Sequence, residues 1–406
     1  MKKRITFTQT LFLVPLLLLL GIFAIYPIVT SAVYSLFDYR TNDQSAAGLY
    51  VSSKFNAPLF YEDAGYITWY LGDDASLLDS TDKAKVESII TEINEIASPY
   101  KESNEVLSLD DASSQVILDK MEKYNNDLKS IYNKNNTIEF YNGYEKISLL
   151  FDEINTCKIS NNFSGLSAYV QLLKDTRFSD SLSTTIIFTV ISVFFEFVLG
   201  LALALIMNKA IKGIGIVRTV SLIPWAIPTA VSALMWSYMY DGSYGVVAKI
   251  FTDLGFIASP EVMLLTKGGA MTAAILADVW KTTPYMALLL LAGLQVIDNG
   301  LYESASMDGA GPIRTFFSIT LPLLKPSILV ALLFRTLDAF RVYDLIAVLT
   351  GGAQGTETLS IYAYKLMINQ SNYGYGSVVV LAMAACVGII SFIFVKVLGA
   401  ELLEDD

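Results

Sequence analysis

One apolar stretch of the chain, long enough to cross a bilayer, contains regularly spaced charges. Between about 327 and 349 it carries, at every third position, Arg335, Asp338, Arg341 and Asp344. Charges at membrane depth are costly, so they usually face a helix-bundle interior or a water-filled cavity. Two interpretations remain open. The side chains line a path for a polar solute, or successive i,i+3 pairs form an ion-pair ladder that locks this helix to its neighbours.

Aromatic residues form a second group that could contact a polar solute. Tyr285 follows Thr282-Thr283-Pro284 in another apolar stretch. An aromatic ring offers its face to C–H groups, and a phenol can bond a hydroxyl. Because interrupted helices often line cavities in transporters, we expect Pro284 to break the helix and Tyr285 to face a solute path. Tyr343 is a second candidate, whereas Trp225 and Trp236 suit the aromatic belts of a membrane protein.

Several kinds of chemistry have no residues to support them. The sequence has no histidine, and its two cysteines, Cys157 and Cys386, lie far apart along the chain. It has neither a D-x-D-x-D-G calcium loop nor a G-x-x-x-x-G-K-[ST] phosphate loop. We therefore expect no catalytic residue, no metal site, no cofactor and no disulfide framework in this chain. Any ATP-driven work requires a partner.

The elements that position these residues are transmembrane helices. Of 406 residues, 53% are hydrophobic, and several continuous apolar runs reach the ~20 residues that a membrane-crossing helix needs. We predict an all-α integral membrane protein with six spans, at about 10–29, 182–207, 219–239, 269–296, 327–349 and 378–398. Glu196 is a lone acid in the second span, and we expect it to pair with a basic group of another helix.

Charge predicts the orientation of these spans. Lys and Arg occur in the short segments 1–9, 208–218 and 297–326, which we place in the cytoplasm together with both termini. The net charge of −11 comes mostly from the acidic block 39–178. We place this block outside the cell. An acidic external block also argues against a nucleic-acid partner.

The external block is long enough to bury a small core of its own. Apolar residues recur with helical spacing over about 81–97 and 112–132, with Ser80 or Thr81 and Asp110 or Asp111 as N-caps. The aromatic-rich pieces 61–71 and 138–144 read as irregular. The alternative is a solvated spacer. The predicted division is therefore 1–38 for the N-terminus and first span, 39–178 for the extracytoplasmic domain, and 179–406 for the membrane core.

A structured loop lies between the fourth and fifth spans, from Tyr302 to Pro326. Asp308-Gly309 ends a helix, because Gly tolerates the left-handed conformation, and Pro312 suits the first turn of the next helix. The pattern Glu303-Ser304-Ala305, Gly309, then Ile319-x-Leu321-Pro322, resembles the coupling loop of binding-protein-dependent ABC importer permeases. That family has Glu-Ala-Ala, three residues, Gly, nine residues, Ile-x-Leu-Pro, and Ser304 is the one departure.

Further segments resemble the sugar-transporting, maltose/trehalose-like branch of that family. They are 25–28, 163–169, 308–310, 321–324, 340–345 and 349–352. The resemblance implies a type I ABC importer fold with an extracytoplasmic insert between spans one and two. It also implies that the coupling loop, 297–326, meets an ATPase through Glu303, Ser304, Ala305, Asp308, Gly309, Ala310 and Pro322.

The resemblance also implies partners and a location. The partners are a second homologous permease, two ATPase subunits that bind ATP and Mg²⁺, and an extracytoplasmic solute-binding protein. The chain would be a multi-pass protein of the plasma or inner membrane, without its own ATPase activity, that moves a di- or oligosaccharide. A polyol or a glycerophosphodiester is the alternative cargo. An ion-coupled secondary transporter could use the charges of span five, but it would not need a coupling loop.

Overall fold

The computed structural model describes residues 7–43, 46–103, 106–209 and 213–398. These residues form two compact units. The first unit extends to Ala168 and includes Gln370–Tyr375; the second contains Tyr169–Asn369 and the chain from Gly376 onward.

The first unit begins with an apolar helix. Helix α1 (Phe7–Leu20) continues through a wider π-helical turn (Gly21–Ile25) into α2 (Tyr26–Tyr34). Its segment Val14–Tyr34 is long and apolar enough to cross a membrane. Large apolar side chains on it, such as Phe23 and Ile28, are exposed. Lipid is the natural solvent for such a surface, as expected for the first span.

The acidic block folds into four helices and one short pair of strands that brings the two ends of the block together. The helices are α3 (Ala57–Ala75), α4 (Ser80–Ala97), α5 (Asp111–Lys134) and α6 (Gly143–Thr156). Strands β1 (Lys54–Phe55) and β2 (Lys158–Ile159) pair antiparallel. The helices bury one apolar stripe each, and their shared core includes Phe60, Ile67, Ile93, Met121, Leu128 and Ile147. A core of this kind argues against a solvated spacer.

Two of these helices were expected and two were not. The predictions at 81–97 and 112–132 correspond to α4 and α5. The prediction of irregular structure at 61–71 is wrong, because those residues lie inside α3, where Asn56 caps the N-terminus by accepting from Leu59 N. Helix α6 was likewise missed. Asp79, rather than Ser80 or Thr81, caps α4, and Asp110 precedes α5 without a side-chain capping bond.

Two buried carboxylates of α3 differ in their surroundings. Asp74 accepts from the Tyr132 hydroxyl at 2.8 Å and from the backbone N–H groups of residues 142 and 143, so it fixes the start of α6. Asp63 is 3% exposed, and its Oδ2 has no hydrogen-bond partner among the described residues. Burial, with the nearby Glu153 and Glu62 charges, raises the pKa of Asp63 to about 7.

The second unit contains the remaining membrane helices. The long helices are α8 (Thr176–Met207), α14 (Lys267–Leu294), α17 (Leu321–Phe340) and α20 (Tyr373–Phe392). Shorter ones are α7 (Ser167–Lys174), α9 (Ile214–Ser221), α10 (Ile223–Ala226), α11 (Thr229–Met239), α12 (Val246–Asp253), α13 (Val262–Leu265), α15 (Asn299–Met307), α16 (Pro312–Thr315), α18 (Asp344–Leu349) and α19 (Leu359–Tyr364). Wider π-helical turns at Phe316–Thr320, Lys365–Asn369 and Ile393–Leu398 join or extend them.

Six spans result if one bent pair of helices counts as a single span. The described residues contain five continuous helices that could cross a membrane, and the sixth consists of Ile214–Ala226 and Thr229–Met239, which meet at 89°. The prediction of one helix over 219–239 is therefore wrong. Pro228 has no N–H to continue the ladder, and Ile227 is extended, so the helix breaks there.

The fifth span also differs from its prediction. Helix α17 ends at Phe340, and Arg341 and its neighbours form a turn before α18 begins at Asp344. The four regularly spaced charges therefore do not share one helix. Pro284 does the opposite of what was expected, since α14 continues through it.

Close packing holds the second unit together around α14. A Cβ atom on Gly293 would lie 2.5 Å from Ser327 Cβ, so only glycine permits α14 and α17 to approach this closely. On its other side α14 packs along α8, where Gly200 faces Met286 and Ala287. This packing brings polar residues of α8, α14 and α17 close together inside the bundle.

Candidate functional site

A buried ion cluster joins three membrane helices. Arg335 of α17 is 2% exposed and donates through Nε and Nη2 to both carboxylate oxygens of Glu196 on α8, the second contact measuring 2.9 Å. Its Nη2 also donates to Asp278 of α14. A bidentate guanidinium–carboxylate pair is geometrically specific. Glu196 therefore has a basic partner on another helix, as expected, and the cluster fixes the relative register of the three helices.

Asp338 belongs to the same cluster but not to its interior. Its Oδ2 accepts from Arg335 Nη1 at 2.7 Å, and its side chain is 70% exposed. One end of the cluster is therefore buried in ion pairs, and the other faces open space. The burial of Arg335 fits the ion-pair interpretation and the exposure of Asp338 fits the solute-path interpretation; both roles stay predictions.

That open space is a cavity of about 480 Å³. Its wall comes from the break between α10 and α11, from α14, and from the turn between α17 and α18. It includes five of the six predicted solute-path residues, Arg335, Asp338, Arg341, Tyr343 and Asp344. Carboxylate, guanidinium and hydroxyl groups thus converge on one concave site, and a cavity with convergent polar groups is a candidate binding site.

Tyr285, the sixth predicted residue, does not line this cavity. Its ring stacks on Trp225, with the ring centroids 5.4 Å apart and an angle of 10° between the planes. Trp225 lines the cavity in its place. Trp225 is also 46% exposed, so its assignment to an aromatic belt stays a prediction.

The predicted ladder is incomplete for a geometric reason. Arg341 Nε donates to the backbone oxygen of Leu337 at 3.0 Å, and no ion pair of Arg341 is found among the described residues. Because α17 ends at Phe340, Arg341 and Asp344 are not one helical turn apart. The Tyr343 ring instead packs against Tyr364, with the centroids 5.1 Å apart.

Sequence reasoning missed Lys281 as a residue of the site. This lysine of α14 is 7% exposed and lines the cavity. Its Nζ donates to the backbone oxygens of Trp225 and Ile227, at 3.2 and 2.6 Å. A lysine inside an apolar helix is costly, and that cost was the signal that could have identified it.

The loop after α14 is a helical hairpin, as predicted. Helix α15 ends at Met307, and Gly309 has φ = 76°, a conformation that glycine adopts without strain. Ala310 N donates to Ala305 O at 2.9 Å across the turn, and Pro312 begins α16. These contacts give the turn a defined shape.

Most of the residues assigned to ATPase coupling lie at the surface of this hairpin. Glu303, Ser304, Asp308, Gly309 and Pro322 are exposed, Ala310 is half-buried, and Ala305 is buried beneath them. Large apolar side chains accompany them, since Met307, Ile313 and Phe317 are 84%, 75% and 62% exposed. Such a patch marks a contact with a protein or with lipid. The coupling roles of the individual residues stay predictions.

The described residues contain no group of three or more carboxylate or cysteine side chains that could hold a metal ion. Both Cys157 and Cys386 are free.

Comparison with known proteins identifies the second unit. The family model for the binding-protein-dependent transport system inner membrane component matches residues 175–403. The chain is 46% identical over 237 residues to the trehalose/maltose transport system permease protein of Thermococcus litoralis, covering 58% of this chain and 79% of the relative. It is 43% identical over 238 residues to the trehalose transport system permease protein of Mycobacterium tuberculosis, covering 59% and 76%.

A solved structure agrees in fold. A bacterial ABC transporter involved in the import of the acidic polysaccharide alginate matches with a TM-score of 0.53 and 24% identity, over 57% of this chain and 82% of that chain. The predicted ABC permease fold and the predicted family are confirmed. The chain belongs to the family of inner membrane components of binding-protein-dependent transport systems.

Proposed function

We propose that this chain is the permease subunit of an ABC importer that moves a di- or oligosaccharide. The observation that carries the choice of cargo is the cavity at the break of the third span. Asp338 and Asp344 offer acceptors to sugar hydroxyls, Arg341 offers donors, and Trp225 adds an aromatic wall. An aromatic face beside convergent polar groups suits a solute with C–H faces and many hydroxyls. The trehalose/maltose and trehalose permeases among the relatives support the same cargo.

The energy for transport would come from partner subunits. A second homologous permease completes the solute pathway, and two ATPase subunits bind ATP and Mg²⁺. The hairpin from α15 to α16 enters a groove on one ATPase, where exposed Met307 and Ile313 are removed from water. Closure of the ATPases then moves the hairpin, and through it α14 and α17, which leave its two ends. The helices that carry the cavity wall are thus tied directly to the hairpin.

The proposed orientation places the hairpin and both termini in the cytoplasm. Lys209, Arg314 and Lys325 are cationic residues of the inner segments; Lys212, also counted there, lies outside the described residues. The four-helix insert would then lie outside. Between residues 39 and 168 it has 21 acidic and 11 basic residues. Its charge would speed encounter with the solute-binding protein more than it would strengthen the final complex.

Reconstitution tests this function. The chain is co-expressed with candidate permease and ATPase subunits, purified and placed in liposomes, and ATP-dependent uptake of maltose, trehalose, a polyol and a glycerophosphodiester is measured with the loaded binding protein. Co-purification of an ATPase and uptake of a sugar support the proposal. Uptake of the polyol or phosphodiester alone would assign the alternative cargo. Uptake by the chain alone, driven by an ion gradient, would show a secondary transporter.

A further inference from the structure

The break in the third span ends in backbone oxygens that need donors. The last four C=O groups of a helix have no intrahelical partner, and Pro228 has no N–H to offer the preceding turn. Within a membrane protein such groups must be satisfied internally. The half-span 214–226 ends at this point, beside the cavity.

Lys281 supplies those donors. Its ammonium lies 3.2 Å from Trp225 O and 2.6 Å from Ile227 O, one on each side of the last residue of α10. A positive charge also suits a helix C-terminus, where the helix dipole is negative. Although Asp278 lies one turn before Lys281 on α14 and Asp338 of α17 lines the same cavity, Lys281 makes no ion pair within 4.0 Å in the part of the chain that the structure describes. Its contacts are with the backbone of the break.

A second residue of α14 holds the same tryptophan. Tyr285 lies four residues after Lys281, on the same face of the helix, and its ring stacks on the Trp225 ring. Lys281 therefore contacts the main chain of Trp225, and Tyr285 contacts its side chain. Together these two contacts fasten the broken span to α14.

We propose that Lys281 is a positioning residue that holds the break of the third span closed on α14 and thereby sets the place of Trp225 in the solute cavity. The effect of Lys281 on sugar selection rests on the proposed function, whereas its effect on the break does not. It does not require Lys281 to touch the solute. Lys281 determines which sugars fit because it determines where the aromatic wall stands.

The first test measures the break itself and needs no sugar. In the assembled complex, with Cys157 and Cys386 replaced, a cysteine is placed at Ile227, which is half-buried, and its labelling rate with a membrane-permeant thiol reagent is measured. Loss of hydrogen bonds to a charged donor should open the break and raise the rate about tenfold in Lys281→Met. Lys249→Met, at an exposed lysine outside the cavity, is the matched control. Equal rates in Lys281→Met and the control overturn the proposal.

The second test asks whether Lys281 acts through Trp225. The ratio of maltose to maltotriose uptake is measured for Lys281→Met, Trp225→Ala and the double variant. The ratio should shift by a similar factor in all three variants. If Lys281 acts by positioning Trp225, its replacement has no further effect once Trp225 is replaced. Additive shifts, or equal losses for both sugars in Lys281→Met, contradict the proposal.

The experiments also cover a variant that fails to assemble and a parent complex that transports neither sugar. If Lys281→Met does not assemble, Lys281→Gln carries the labelling test, because glutamine is shorter and uncharged and cannot reproduce both contacts of the ammonium; a labelling rate equal to that of the Lys249→Met control then overturns the proposal. If the parent complex moves neither sugar while labelling still depends on Lys281, the proposed cargo fails and the positioning role stands.

Discussion

Replacing Arg335 with methionine should destabilise the assembled protein far more than replacing Asp338 with asparagine, although the two side chains share a hydrogen bond. Methionine keeps an unbranched apolar stem but has no charge and no hydrogen-bond donor. It leaves Glu196, which is fully buried, and Asp278, whose side chain is 9% exposed, without their common cation. Two largely buried carboxylates would then lie close together without a cation between them.

The size of the effect follows from burial. Breaking a buried ion pair by removing one partner costs roughly 3–5 kcal/mol. Asp338 has a 70% exposed side chain, and an exposed pair contributes at most about 1 kcal/mol. For a unit of this size, 1 kcal/mol corresponds to roughly 2–4 °C in melting temperature. We therefore expect Arg335→Met to lose about 6–20 °C and Asp338→Asn no more than about 4 °C.

The assay is thermal aggregation of the purified complex, followed by gel filtration after heating. Arg341→Met is the matched control, since Arg341 is an exposed arginine just past the end of the same helix, and its Nε donates to the backbone of α17 rather than to a carboxylate. Sugar uptake is measured on the same samples. The structure leads us to expect normal assembly with altered sugar preference for Asp338→Asn.

An assembled Arg335→Met complex that melts within about 2 °C of the Arg341→Met control would show that the cluster does not hold the three helices together. A large loss of melting temperature in Asp338→Asn would return Asp338 to the structural role.

Three further predictions concern other parts of the chain. Gly309→Val should strain the turn of the hairpin, since φ = 76° disfavours a branched side chain. We expect solute-stimulated ATP hydrolysis to fall in this variant but not in the control Ser318→Val, which changes an exposed site. Normal stimulation in Gly309→Val would contradict the coupling role. In intact cells an impermeant thiol reagent should label a cysteine at Asn126 but not one at Lys209, and the reverse would overturn the orientation. Because Asp63 has its pKa raised to about 7, the folded state retains a proton that the unfolded state has lost, so stability should fall as pH rises from about 4 to about 7. Asp63→Asn should remove this dependence and melt higher than the parent at pH 8; an equal or lower melting temperature would show that Asp63 is not strained.

Arg335 and Asp338 illustrate what the sequence determines about this protein. Their presence in an apolar stretch predicted a bundle interior or a cavity, because a membrane tolerates charge nowhere else. The sequence could not assign one role to each, since that depends on which neighbour each side chain meets. Glu196 and Asp278 lie 139 and 57 residues away from Arg335, and only the packing of α8 and α14 brings them together.

The same division applies to the whole chain. Local physics determined the apolar spans, the hairpin turn at Gly309 and the helices α4 and α5, because each depends on residues close in sequence: hydrophobic length, a left-handed glycine, a periodic stripe. Spaced identities in the hairpin also determined the family. Tertiary structure decided where the helices break and which side chains meet. Helix α14 continues through Pro284 while the third span breaks at Pro228, and Lys281 satisfies the backbone of that break from another helix. Proline has the same local chemistry at both positions. Whether the helix continues or breaks there therefore depends on the neighbouring helices, which pack around the proline and supply donors to its unpaired backbone oxygens.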